Sequence, residues 1–141
     1  MHALGRIHRS LRVGGVLLDV HSEPENAWVE IWQEGRVNPL GQLDEEQDNQ
    51  EIRLARAELD LVEERGCFVT ERRRTFERLA HYQSVDAWLE RRAREAATSI
   101  IPDAVLDSAR RLLAAGSGEL VIRGWFRASV LRRSAEHPNW S

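Results

Sequence analysis

The sequence contains no lysine: all 20 of its basic residues are arginine. So uniform a bias reads as the mark of a GC-rich bacterial genome, and it lowers the functional weight of any arginine cluster. Cysteine occurs once, at Cys67. That excludes an intrachain disulfide and a zinc site built on several thiolates, and it fits a reducing cytoplasm. No apolar run approaches the length that crosses a bilayer. The opening segment MHALGRIHRS has no apolar stretch of signal-peptide length. With a formal charge of -3, the chain makes no overall electrostatic case for nucleic acid. No short spacing of His, Cys, Asp and Glu supports a metal site.

What remains is a chain of 141 residues, 30% of them charged, long enough for one domain with its own core. The expectation is a single domain over 1–134 with a loose tail at 135–141. Ala3, Leu4, Ile7 and Leu11 share a helical face, which Gly14 and Gly15 end. Val16 to Val20 is a nearly continuous apolar run. Such a run suits a strand buried on both faces, as in a parallel sheet covered by helices. Trp28, Glu30 and Trp32 alternate with Val29 and Ile31, and QEG can turn the chain into a second strand over Val37 to Leu43.

Asp44 is placed as a helix cap with Gln47 as its capping-box partner. Ile52, Ala55, Leu59 and Val62 follow at helical spacing. Cys67 to Leu79 reads as a strand with one solvated face, at a sheet edge. Ser84 caps a helix that turns Val85, Trp88, Leu89 and Ala96 inward. Pro102 opens the next helix, whose apolar face is Val105, Leu106, Ala109, Leu112 and Leu113. After GSG at 116–118, Glu119 to Arg132 is a long strand. Leu120, Ile122, Phe126, Ala128 and Val130 are expected on its covered face, with a bulge at Gly124.

The stretch ALGRIHRSLRVGGVLLDV resembles the helix–turn–strand segment that leads into the fifth strand of class I S-adenosylmethionine-dependent methyltransferases, with Val13 in place of the usual proline. The order of elements resembles the C-terminal half of that family over most of the chain. The resemblance implies that the strands around Phe68 and Glu119 match the family's sixth and seventh, an antiparallel pair at one end of the sheet. It implies too that Val16–Val20 lies inside the sheet, with a fourth strand beside it that has no counterpart here. The family's cofactor loop, Gly-x-Gly after a strand, is missing, as is the carboxylate that accepts the ribose hydroxyls. GSG at 116–118 follows a helix and precedes a strand, the reverse of the required order. No bound cofactor is expected.

The fold class implied is α/β, or α+β as a fragment: a small mixed sheet with an antiparallel C-terminal strand pair and helices packed on it. Asp19 and His21 end the first strand, where open α/β sheets place ligands, and are candidates for a pocket. His81 and Tyr82 are further pocket candidates beside Trp88. For each, packing or loop exposure is the competing reading. ERRRTFER at 71–78 could grip phosphate or an acidic partner, or could pair internally with Glu71 and Glu77. Trp28, Ile31 and Trp32 are candidate interface anchors. No catalytic group can be named. The function expected is a methyltransferase-like remnant that associates with itself, as a homodimer, or with a separate protein. The alternatives are a subunit or truncated product of a methyltransferase, and a small-ligand-binding α+β protein.

Overall fold

The computed structural model describes residues 2–135; the tail expected to be loose lies, apart from Ala135, outside them. Among the described residues the order is α1 (His2–Ser10), β1 (Val16–Ser22), β2 (Trp28–Gln33), β3 (Arg36–Gln42), α2 (Glu46–Glu64), β4 (Phe68–Tyr82), α3 (Val85–Arg94), α4 (Asp103–Ala115) and β5 (Glu119–Arg133). The class is α+β with an antiparallel sheet. β5 is its hub. It pairs with β1 through Phe126–Arg132, with β2 through Glu119–Arg123, and with β4. Ion pairs Glu71–Arg132 and Glu77–Arg123 run between β4 and β5 in antiparallel sense.

The contacts divide the described residues into two compact units. The first comprises residues 2–22, 51–76 and 126–135 of the described chain, the second 23–50 and 77–125. Each has its own core. In the first unit Leu59 and Val62 of α2, Phe68 of β4 and Leu131 of β5 are buried with Cys67, and Leu4, Ile7, Leu11 and Leu17 pack against them. Leu4, Ile7 and Leu11 of the expected face of α1 thus pack inward, while Ala3 is exposed. Gly14 ends that helix region with a φ of +77°, and a Cβ on Gly15 would come within 2.8 Å of the Arg12 carbonyl oxygen.

In the second unit the β2–β3 hairpin turns on Glu34 and Gly35, both at positive φ. Two-residue turns of that kind match the twist of the strands they join. Val29 and Ile31 are fully buried, together with Leu120, Trp88, Val105 and Ala109. Ser84 caps α3 through its hydroxyl, which accepts from the Ala87 amide. Ala96 was expected inward; it is exposed, at a positive φ just beyond the helix.

Two expectations about strands are corrected. β1 is not buried on both faces and has no parallel partner. Val16, Leu18 and Val20 are 46%, 63% and 52% exposed, while Leu17 between them packs inward. The apolar run is continuous, but α1 and α2 supply helices for only one of its faces. On β5 the expected face holds only at the start. Leu120 is buried, yet further along the buried positions are Arg127, Ser129 and Leu131, and Phe126, Ala128 and Val130 lie on the other face. The two halves of β5 serve two different cores, so one alternation does not run the strand's length.

Candidate functional site

The first unit's sheet has one face under α1 and α2 and one face open. Antiparallel pairing sets Val16 opposite Arg132, Leu18 opposite Val130, Val20 opposite Ala128 and Ser22 opposite Phe126. Paired residues share a face, so this face carries three exposed aliphatic side chains of β1 beside Ala128 and Val130. Phe76 of β4 stacks on Phe126, centroids 5.8 Å apart. A shallow hollow of about 480 Å³ runs between Ala128, Val130 and the arginines at 72–74.

The arginines of ERRRTFER do not all behave alike. Arg73 donates to the Ser129 hydroxyl at 3.1 Å and to Glu63 at 3.0 Å. Arg72 and Arg74 are exposed and have no hydrogen bond or ion pair among the described residues. The acids expected to neutralise them are held elsewhere. Glu71 pairs with Arg132, whose guanidinium holds the Glu71 carboxyl below the usual carboxylate range. Glu77 pairs with Arg123 at 2.5 Å. Sequence reasoning weighed internal pairing for this cluster without seeing that two arginines of β5 would compete for its acids.

Asp19 and His21 lie on the opposite, helix-facing side of β1. They bond to each other, Nδ1 to Oδ2, at 2.8 Å, and sit across from Ser129 and Arg127. Among the described residues the buried Nε2 of His21 has no hydrogen-bond partner.

His81 and Tyr82 belong to the second unit. Both line an open cleft of about 450 Å³ with Glu45, Trp88 and Arg92. His81 Nδ1 is 3.1 Å from Glu119, and its ring meets Trp32 edge-on. The four pocket candidates therefore fall as two pairs in different units. Most of the cleft's charges are already engaged. Arg92 lies over the Trp88 ring and donates to the Ser99 hydroxyl at 2.9 Å. Arg91 pairs with Glu95. Glu45 accepts from the Ala27 amide at 2.7 Å, and burial pushes its carboxyl above the usual range.

The same unit holds an ion-pair network that sequence reasoning missed. Arg123 grips Glu30 with two nitrogens, at 2.7 and 3.1 Å, and Glu77 with a third. The indole of Trp32 donates to Glu30 at 2.8 Å. Arg123 above all, and then Trp32, hold the Glu30 carboxyl below its ordinary range against the opposing effect of burial. The available signal was a glutamate between two fully buried aliphatics in a strand. Of the expected interface anchors, Ile31 is fully buried and cannot serve as an exposed one. Trp32 is half-buried within this network, and Trp28 is 36% exposed.

Among the described residues no cluster of side chains could hold a metal ion, and no helix is long and apolar enough to cross a membrane. No protein-family model, curated protein or solved structure matches the chain.

Proposed function

We propose that the chain is a methyltransferase-like remnant that works in the cytoplasm as a self-associating module, a homodimer joined through β1. One observation carries this reading. β1 is seven residues long and has β5 as its only strand partner among the described residues. Its other edge presents unpaired backbone donors and acceptors, a template for a further strand. A second copy pairing antiparallel about a two-fold axis completes both edges at once, the commonest closed solution. The methyltransferase resemblance supports the same placement. It implies a strand inside the sheet, with the antiparallel pair on one side and a missing strand on the other.

Light scattering on the purified chain tests the dimer. The expected mass is about twice the 16.2 kDa of one chain. Leu18→Lys puts a charge on the edge strand and shifts the mass to a monomer that still folds, because Leu18 is 63% exposed, with melting lowered only by the lost association. A monomeric wild-type chain would sink the proposal. The alternative, a subunit or truncated product of a methyltransferase, draws on the uncovered aliphatic face of β1. Under either reading the isolated chain lacks the glycine loop and the ribose carboxylate. Calorimetric titration with S-adenosylmethionine is expected to show no binding at micromolar concentration.

A further inference from the structure

We infer that the open face of the first unit's sheet docks an acidic amphipathic helix of a partner protein. The inference goes beyond the dimer: it uses a face of the sheet where the dimer uses an edge, and either can stand without the other.

The floor is apolar and the rim is cationic. Val16, Leu18 and Val20 are about half exposed or more, and Ala128 and Val130 adjoin them. A sheet needs a layer on each face to bury both, and α1 and α2 occupy only the other one. A helix is about 10 Å across, roughly two strand spacings. Lying along β1 and β5, it would cover the aliphatic floor and bring one flank to β4. That flank meets Arg72 and Arg74, two guanidiniums with no partner among the described residues, where Arg132 holds Glu71 and Arg123 holds Glu77. Carboxylates on the helix would supply the missing acceptors, and arginine binds carboxylate in a two-pronged geometry.

Charge also decides against other occupants. Among the described residues of β1 and β4 in this unit, a second copy docking by the same face brings no free acid: Asp19 lies on the opposite side with His21, and Glu71 is already paired. Single-stranded nucleic acid would want aromatic rings open for stacking, whereas Phe76 and Phe126 stack on each other.

The test uses the full chain and a labelled synthetic helix of about 18 residues, with leucines at helical spacing and glutamates on both flanks. A lysine-flanked counterpart, single-stranded DNA and vesicles containing phosphatidylglycerol are the comparison probes. Fluorescence anisotropy is expected to show binding of the acidic helix alone. The double substitution Arg72→Glu and Arg74→Glu is expected to weaken it about tenfold or more and to create binding of the lysine-flanked helix. Equal binding of the two helices, or none, overturns the inference. So does capture of DNA or vesicles, without the acidic helix, that the double substitution removes. Since both arginines are exposed and unpaired, melting should not change; if the double charge reversal fails to fold, Arg72→Gln with Arg74→Gln carries the same comparison. Light scattering on the same samples reads the dimer separately, so failure of one proposal is not mistaken for failure of the other.

Discussion

The two units solve the same problem differently. Each must use a strand carrying both charge and aliphatic bulk. In the second unit Glu30, Arg123 and Glu77 neutralise one another within the sheet, and Trp32 closes the last acceptor of Glu30. In the first unit the corresponding accounting does not close. Three aliphatic side chains of β1 stay in solvent, and Arg72 and Arg74 have no acid among the described residues. A polar network satisfied internally demands nothing from outside, whereas an apolar face rimmed by unpaired cations is what binding surfaces expose.

The sharpest way to break this comparison is to truncate the two cores. Phe68→Ala in the first unit and Trp88→Ala in the second are each expected to cost about 3–5 kcal/mol, since both rings are almost fully buried. Urea denaturation measures both. A loss below about 1 kcal/mol at either would show that the unit does not rest on that core.

The next effect belongs to the network. Glu30→Ala leaves the Trp32 indole without its acceptor and Arg123 with Glu77 alone, and is expected to cost about 1–3 kcal/mol. The pH dependence has a definite sign. The Glu30 carboxyl titrates lower in the folded chain than in the unfolded one. Its contribution is therefore complete above the ordinary glutamate value, about 4.3, and is lost as pH falls below it. Glu30→Gln should flatten that acid limb in thermal melts. Glu45 works the other way, because its carboxyl is raised by burial. It costs stability as pH rises through the ordinary glutamate value, so Glu45→Gln should leave the chain equally or more stable at neutral pH.

Smaller effects sharpen the contrast inside the arginine cluster. Arg73→Ala removes donors to Ser129 and Glu63 and is expected to cost about 1 kcal/mol or less, given its partial exposure. Arg72→Ala is expected to change stability by less than about 0.5 kcal/mol. A larger loss at Arg72 than at Arg73 in the same denaturation series would reverse the assignment of paired and unpaired cations.

Local pattern was enough for part of each helix face and for the hairpin turn, though Ala3, Ala55 and Ala96, expected inward, are exposed. The spacing of Leu4, Ile7 and Leu11, the Ser84 cap and the Glu34–Gly35 turn involve residues a few positions apart, and local geometry settles them. The alternation of Val29 and Ile31 likewise identified a core face. Tertiary structure alone decided which faces found a cover. Val16 to Val20 is equally apolar whether one or two layers of helix lie on it, and only the placement of α1 and α2 leaves Leu18 in solvent. It also decided which charges remain. Glu71 and Arg132, and Glu77 and Arg123, lie far apart in the chain, and a long-range ion pair leaves no trace in local spacing. That competition across strands leaves Arg72 and Arg74 without a partner among the described residues, and with them the candidate docking face.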